Sequence, residues 1–294
     1  MTEGRIIKAV SGFYDVKHED EIYRCRGRGL FRKKNITPLV GDFVEFDKST
    51  QGEGFILSVK PRKNALTRPS VANIDQAIIV TSAVQPDFNP LLLDRFLVLI
   101  ESKDIHPVIF MTKQDLLSEQ DHEKWLNRQY MYEAIGYPVE RVSAAHGKDS
   151  IQRLEKYFKD RVSVISGQSG VGKSSLLNVL NPSLDLQTNA ISTSLGRGKH
   201  TTRHVALVEA GGGLVADTPG FSALDLSGID AGDLGDCFPE IREHLIGCKF
   251  RSCYHYKEPG CAVKQAVENG EITEQRYAHY IRFLDEINSR KPRY

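Results

Sequence analysis

The stretch Gly167-Gln168-Ser169-Gly170-Val171-Gly172-Lys173-Ser174 fits the pattern G-x-x-x-x-G-K-[ST] of a phosphate-binding loop. In such a loop, glycines let backbone N–H groups close around phosphate oxygens, the lysine reaches the β- and γ-phosphates, and the hydroxyl ligates Mg²⁺. An apolar, β-branched run from Arg161 to Gly167 predicts a strand before it, and Lys173 to Leu180 is helical in pattern. A Gly-rich turn without a ligand is the alternative, but this frame favours phosphates bound at a helix N-terminus.

The pattern around this loop, from residue 69 to residue 227, alternates apolar strands with amphipathic helices. The predicted strands, besides the one before the loop, are Gln76 to Ala83, His106 to Thr112, Pro138 to Ser143, His204 to Glu209 and Gly213 to Ala216. The predicted helices, besides the one after it, are Pro90 to Lys103, Ser118 to Gly136 and Ser150 to Phe158. Alternation of this kind predicts an α/β domain with a largely parallel sheet.

Residues 1–68 read instead as five short strands, which predict a small all-β barrel of the OB type. The strands are Gly4 to Val10, Phe13 to Val16, Ile22 to Arg26, Asp42 to Phe46 and Gly54 to Val59. This segment holds 14 lysine and arginine residues against nine acidic ones. Its densest basic stretch lies beside Tyr23 and Phe31 and contains Arg24, Arg26, Arg28, Arg32, Lys33 and Lys34. We predict that it binds RNA; a solvated basic loop is the alternative.

Residues 228–294 form the third predicted domain, which is mostly helical and holds four of the five cysteines. Cys248, Cys253, His255 and Cys261 lie within fourteen residues and supply three thiolates and one imidazole. Such a Cys₃His set predicts a closed, structural zinc site, with unrelated free thiols as the alternative. Cys25 and Cys237 have no partners nearby in the sequence, and we expect ordinary side chains there.

Bulk composition restricts the class of protein. The 294 residues suffice for two or three domains, and the net charge of +1 hides the basic first segment. No apolar stretch reaches the length of a membrane span, and residues 1–13 do not read as a signal peptide. An odd number of cysteines fits a reducing compartment. We therefore expect a cytoplasmic monomer without a membrane partner.

Thr112-Lys113-Gln114-Asp115 resembles the guanine-recognition motif N/T-K-x-D and follows a predicted strand. The aspartate can accept from both the ring N–H and the exocyclic amine of guanine, whereas adenine would leave that acceptor unpaired. Ser143 and Ala144, after the next strand, resemble the backbone clamp on guanine O6. A surface K-x-D is the ordinary explanation of such a tetrapeptide. The neighbouring motifs favour GTP or GDP as the ligand, with Ser175 completing the phosphate-loop contacts.

Asp217-Thr218-Pro219-Gly220 comes at the end of an apolar strand and fits the D-x-x-G motif. Asp217 would touch Mg²⁺ through water, and the amide of Gly220 would meet the γ-phosphate. Between the phosphate loop and this motif lies the Gly-rich segment 196–203. We expect Thr202, with Thr201 as the alternative, to complete the Mg²⁺ shell with Ser174 when GTP is bound.

The residue after D-x-x-G is Phe221, where many GTPases carry a glutamine that orients the attacking water. A phenyl ring cannot hydrogen-bond water, so another group must act or hydrolysis must be slow. His200 in the segment 196–203 is our candidate, because an imidazole can position water near pH 7. An ordinary loop histidine is the alternative.

The base motif precedes the phosphate loop, which is the reverse of the usual order in GTPases. With the basic barrel, the segment 196–202 and the Cys₃His cluster, this order resembles the bacterial ribosome small-subunit-dependent GTPases of the RsgA family over essentially the whole chain. The resemblance implies a circularly permuted GTPase that binds the small (30S) subunit and its 16S rRNA late in maturation. It also implies GTP hydrolysis stimulated by the subunit, followed by release, and supports the assignments of His200 and of the RNA-binding barrel.

Two other functions compete with this one. The first is an rRNA-binding assembly factor switched by GTP, in which hydrolysis is incidental, and Phe221 favours it. The second is an ATP-dependent kinase or ATPase, which conflicts with Lys113 and Asp115. The permuted order also makes the D-x-x-G segment run directly into the cysteine-rich segment. We therefore predict that loss of the γ-phosphate is felt by the C-terminal domain.

Overall fold

The computed structural model describes residues 2–29, 31, 36–48, 53–142, 147–184, 205–216 and 224–290. Its first five strands form a closed barrel: β1 (Thr2–Val10), β2 (Phe13–His18), β3 (Glu21–Gly27), β4 (Phe43–Asp47) and β5 (Gly54–Val59). They pair in the order β1-β2-β3-β5-β4, and β4 closes on β1. Fully buried apolar side chains, including Ile6, Val16, Val44, Phe46 and Ile56, fill the barrel. The predicted all-β barrel is confirmed.

The central sheet has the strand order β10-β9-β8-β11-β13-β12. Its strands are β8 (Gln76–Ser82), β9 (His106–Thr112), β10 (Val139–Val142), β11 (Val162–Ser166), β12 (Val205–Ala210) and β13 (Gly213–Ala216). All neighbours are parallel except β12 and β13. In β8 the adjacent residues Ile78 and Ile79 belong to different apolar cores, because successive side chains point to opposite faces. The predicted parallel α/β architecture is confirmed.

Helices connect and cover these strands. They are α1 (Pro90–Glu101), α2 (Glu119–Ala134), α3 (Gly147–Phe158) and α4 (Lys173–Leu180), with 3₁₀ turns at Gln114–Leu116 and Pro182–Leu184. Asn89 caps α1, its side-chain oxygen accepting from the N–H of Leu92 at 3.0 Å. The apolar half of α1 is packed on both sides: Phe96 and Leu97 face the sheet, whereas Val98 and Leu99 face the C-terminal unit.

Backbone pairing joins the barrel to the central sheet, which local sequence patterns did not predict. Strand β1 pairs antiparallel with β12, with Lys8 opposite Ala206 and Ala9 opposite Val205. Lys17 on β2 also pairs with Glu209 on β12 at 2.7 Å. A hairpin of β6 (Ala65–Thr67) and β7 (Ser70–Ala72) spans the predicted boundary at residues 68 and 69. The domain boundaries themselves stay predictions.

The C-terminal unit is mostly helical and has its own apolar core. It contains 3₁₀ turns at Gly235–Cys237 and Leu245–Gly247 and three helices, α5 (Pro239–Arg242), α6 (Ala262–Glu268) and α7 (Glu274–Asn288). Within the described ranges, no helix combines the length and the apolar character that crossing a bilayer requires.

Candidate functional site

The phosphate loop runs from the end of β11 to the start of α4 at the centre of the sheet. Gly167, Gly170 and Gly172 have positive φ values of 141°, 83° and 100°. A side chain at Gly167 would also collide with the sheet, because its Cβ would lie 2.1 Å from the carbonyl oxygen of Val80. Glycine is therefore required here by backbone shape and by close packing. The remaining loop positions with assigned roles, Gln168, Ser169 and Val171, lie between these glycines.

Lys173 points back over the loop. Its ammonium donates to the carbonyls of Gly167, at 2.8 Å, and Gln168, at 2.5 Å. Burial lowers the pKa of Lys173, so a bound anion would stabilise its charged form. Ser174 and Ser175 follow in the first turn of α4, and the first N–H groups of a helix have no intrahelical partner and can bind an anion. The arrangement supplies a positive cradle for phosphate.

The two motifs that are far apart in sequence meet in the structure. The hydroxyl of Thr112, at the end of β9, donates to the carbonyl of Val171 in the phosphate loop at 2.7 Å. Lys113 adopts a left-handed backbone conformation with φ of 57°. Asp115 follows on the 3₁₀ turn and is exposed, as a carboxylate that receives a base must be. The geometry places the predicted base-recognition motif directly beside the predicted phosphate loop.

Sequence reasoning missed the loop between β8 and α1, which lies beside both predicted nucleotide motifs. The carbonyl of Gln85 accepts from the ammonium of Lys113. Pro86 lies near the phosphate loop, since a Cβ on Gly170 would be 3.7 Å from its Cδ. The hydroxyl of Ser82 donates to the Pro86 carbonyl at 2.7 Å. No motif marks these residues, so only the fold shows that this loop supports both nucleotide motifs.

Several predicted site residues lie outside the described residues. They are Ser143, Ala144, His200, Thr201, Thr202, Asp217, Gly220, Arg32, Lys33 and Lys34. Their attachment points are described: β12 begins at Val205, two residues after the Gly-rich segment 196–203, and β13 ends at Ala216, directly before Asp217. Strand β13 pairs with β11, the strand that carries the phosphate loop. Their assigned roles stay predictions.

The four residues of the Cys₃His cluster come together around one point. Their potential ligand atoms all lie within 4.8 Å of one another. His255 Nδ1 lies 3.4 Å from the Sγ atoms of Cys248 and Cys261, which are 3.9 Å apart. A tetrahedral zinc ion with ordinary bond lengths requires separations of about 3.5 Å for N to S and about 3.8 Å for S to S. The donor set therefore fits zinc in both chemistry and spacing.

The surroundings of the cluster favour a bound cation. Burial raises the pKa of Cys253 to about 12, with a further contribution from the neighbouring thiols. A divalent cation would remove that cost by stabilising the thiolates. Burial lowers the pKa of His255, which favours the neutral, ligating imidazole. Cys25 and Cys237 lie elsewhere, buried as free thiols.

The basic barrel face combines charge with an aromatic ring. The guanidinium carbons of Arg24 and Arg26 lie 4.7 and 4.6 Å from the ring centre of Phe13. Both arginines are exposed on β3, as is Arg28 beyond its end. Arg26 also pairs with Glu53 at 2.9 Å. Exposed arginines stacked on an aromatic ring are typical of surfaces that bind single-stranded nucleic acid.

A second basic and aromatic surface lies around the Cys₃His cluster and was not predicted. Ile246 is 97% exposed, an unusual state for a large apolar side chain. The surface also contains exposed aromatic and basic residues: Phe250, Tyr254, Tyr256, Lys249, Arg251 and Lys257. The alternation of aromatic and basic residues between the metal ligands is the sequence signal that marks this surface.

Comparison with known proteins agrees with this geometry. The family model of the RsgA GTPase matches residues 59–227, and that of the RsgA N-terminal domain matches residues 3–56. The chain is 61% identical to small ribosomal subunit biogenesis GTPase RsgA 2 of Oceanobacillus iheyensis over 294 residues, and 54% identical to small ribosomal subunit biogenesis GTPase RsgA of Bacillus subtilis over 299 residues. Both alignments cover 100% of each chain.

Solved structures extend the likeness to three dimensions. The crystal structure of YloQ, described as a circularly permuted GTPase, superposes with a TM-score of 0.85 at 49% identity, covering 100% of this chain and 97% of that one. YjeQ from Thermotoga maritima gives a TM-score of 0.86 at 38% identity, with 99% of each chain covered. The reversed motif order, the cradle of Lys173 and these matches have one explanation: the chain belongs to the RsgA family of circularly permuted GTPases.

Proposed function

We propose that this GTPase binds the small ribosomal subunit during late maturation and that GTP hydrolysis, stimulated by the subunit, times its release. The observation that carries the proposal is the direct pairing of β1 with β12, which attaches a basic, aromatic barrel face to the nucleotide domain. Contact at the barrel can thereby act on β12, the strand that follows the Gly-rich segment 196–203. The two relatives named above as small ribosomal subunit biogenesis GTPases support the same role.

The RNA partner of the barrel is 16S rRNA in this proposal. Phe13 with Arg24, Arg26 and Arg28 supports stacking on unpaired bases and neutralisation of phosphates. Arg32, Lys33 and Lys34 would extend the same basic stretch. The surface around Ile246 would supply a second contact from the C-terminal unit. The chain would work as a monomer in the cytoplasm, where free cysteines such as the five seen here are usual.

The ligand atoms available at the two sites favour Zn²⁺ at one and Mg²⁺ at the other. Zn²⁺ would be held by Cys248, Cys253, His255 and Cys261 as a structural ion. Mg²⁺ would accompany GTP at Ser174, completed by Thr202 or Thr201 and, through water, by Asp217. These ions would supply charge neutralisation, whereas the glycines and Lys173 orient the phosphates.

The chemistry requires a residue that positions water, since Phe221 cannot. We assign this role to His200, and Gly220 would hold the γ-phosphate through its amide. Replacing His200 with alanine should abolish stimulated turnover while leaving GTP affinity intact. Stimulated turnover equal to that of the unmodified protein would overturn the assignment.

The function is tested by measuring turnover of GTP and ATP with and without isolated small subunits. We expect slow GTP turnover alone, strong stimulation by the subunit and indifference to ATP. Small-subunit binding without stimulated hydrolysis would instead support the GTP-switched assembly factor, whereas ATP turnover would contradict both.

A further inference from the structure

The chain that leaves the D-x-x-G segment is held by two arginines from different parts of the protein. Arg95, on α1, donates from Nη1 to the carbonyl of Leu224 at 3.1 Å and to Glu286, on α7, at 2.9 Å. Arg290, after the end of α7, lies 3.6 Å from the carboxylates of both Asp225 and Glu286. Leu224 is the first described residue after the D-x-x-G motif. One guanidinium therefore touches both the exit of this motif and the C-terminal helix.

Burial and several specific contacts hold the side chain of Arg95 in place. Its side chain is 17% exposed, and its guanidinium carbon lies 4.8 Å from the ring centre of the fully buried Phe283. A second donor, Nη2, bonds the other oxygen of Glu286. The hydrogen bond from Arg95 holds the pKa of Glu286 below its ordinary value, so the pair stays ionised near neutral pH. Only arginine offers several donors in one plane, which lets it serve a carbonyl and a carboxylate together.

The N-terminal half of α7 is fixed to α1 independently of Arg95. Arg276, fully buried on α7, pairs with Asp94 of α1 at 2.7 Å. The hydroxyls of Tyr277 and Tyr280 donate to the carbonyls of His255 and Tyr254 at 2.6 and 2.9 Å, so this half also holds the metal-site loop. A shift of Leu224 would therefore be felt first in the C-terminal half of α7, at Glu286.

We propose that Arg95 is a positioning residue that passes the nucleotide state from the D-x-x-G segment to the C-terminal half of α7. When the γ-phosphate is lost and Leu224 shifts, the donors of Arg95 lose their shared alignment, and Glu286 is held differently. Coupling between sites requires an element whose arrangement both sites can influence, and Arg95 bonds both Leu224 and Glu286. This coupling rests on the proposed binding of GTP and requires no ribosomal partner.

Hydrogen exchange measured by mass spectrometry on the full chain tests the proposal, with GDP compared with a non-hydrolysable GTP analogue. In the unmodified protein, amides from Phe283 to Asn288 should exchange at rates that differ at least about fivefold between the two nucleotides, the lower end of typical coupling. Amides near Arg276 should differ much less and serve as an internal control. In Arg95→Met the nucleotide-dependent difference should disappear, with nucleotide affinity unchanged.

Arg242→Met is the matched control, because it also removes an ion pair between the C-terminal unit and α1, to Glu101 at 3.5 Å. It should keep the nucleotide-dependent difference. A purely structural role of Arg95 would speed exchange equally with both nucleotides and leave the ratio intact. Arg95→Lys, which keeps the charge, provides a second variant should Arg95→Met fold poorly, and its ratio should fall. An undiminished ratio in both Arg95 variants, or no difference in the unmodified protein, overturns the proposal.

Discussion

The buried guanidinium of Arg276 should be the side chain on which attachment of the C-terminal unit most depends. Its Nε donates to Glu240 at 2.6 Å and its Nη2 to the other oxygen of Glu240 at 3.1 Å, while Nη1 pairs with Asp94 at 2.7 Å. Arg276 and Asp94 have no exposed surface. Tyr132 donates a further hydrogen bond to Asp94 at 2.8 Å. One cation thus neutralises two buried carboxylates from different parts of the chain.

Arg276→Met keeps much of the volume and removes the charge. Removing one partner of a buried ion pair costs about 3 to 5 kcal/mol, because the remaining charge stays buried without compensation. Here two carboxylates are left, so we expect a loss in the upper part of that range. Against a total stability of about 5 to 15 kcal/mol for a typical domain, this is a large fraction of the free energy of unfolding.

The loss of stability in Arg276→Met should depend on pH. Through Asp94, acidification should stabilise the variant, whereas it can only destabilise the unmodified protein. Burial of Asp94 would raise its pKa, but the charge of Arg276 and hydrogen bonds from His279 and Tyr132 hold it below 3.8. A folded-state pKa below the unfolded value stabilises the protein above that unfolded value, and this contribution is lost as pH falls through the folded pKa. Stability of the unmodified protein should therefore vary little through Asp94 between pH 7 and pH 5.

In Arg276→Met the carboxylate of Asp94 stays buried without its cation, so burial raises its folded-state pKa above the unfolded value. The folded state then binds protons more readily, and the variant regains stability as pH falls from 7 to 5, by up to about 1.4 kcal/mol per pH unit for each proton.

The assay is the free energy of opening of α7 amides, from native-state hydrogen exchange at pH 7 and pH 5. Local exchange is preferable to a global melt, since a chain with several units need not unfold in two states. Arg282→Met, at an exposed position of the same helix, is the matched control and should change stability by no more than about 0.5 kcal/mol. A loss below about 1 kcal/mol at pH 7, or one that grows on acidification, would refute the reasoning.

Two further predictions concern the nucleotide and the metal. Asp115→Asn should lower GTP affinity by about 1 to 3 kcal/mol. The variant should bind xanthosine triphosphate better, because the C2 carbonyl of xanthine can accept a hydrogen bond from the asparagine amide. A competition assay measures both effects, and an unchanged preference for GTP would exclude Asp115 from base recognition. Cys261→Ser should reduce the zinc content measured by elemental analysis and lower the stability of the C-terminal unit. Cys237→Ser, outside the cluster, is the control and should retain zinc. Equal zinc content in both variants would contradict the ligand assignment.

Short-range patterns were sufficient where the controlling interactions are local. The helix Lys173–Leu180 and the strand Gly213–Ala216 have the predicted bounds, because side-chain periodicity and flanking glycines specify both. The phosphate loop could be recognised for the same reason, since its shape depends on glycines within eight residues. The Cys₃His set was equally visible, because ligand type and spacing along the chain are nearly the whole requirement.

Contacts between distant segments were decided only by the tertiary structure. Tyr280 and Leu284 lie four residues apart in α7 and are both buried, as helical periodicity requires, but nothing in the local sequence gives a reason to bury Arg276 in the same helix. A charge is tolerated inside a protein only where counter-charges meet it, and here Asp94 and Glu240 come from two other helices. The pairing of β1 with β12 could not be predicted either, because the hydrogen bonds between strands join backbone atoms that every residue has. The sequence alone therefore determined the class of each domain and was enough to predict the phosphate loop and the Cys₃His cluster, whereas the connections between the domains depended on charges and strand edges that only folding brings together.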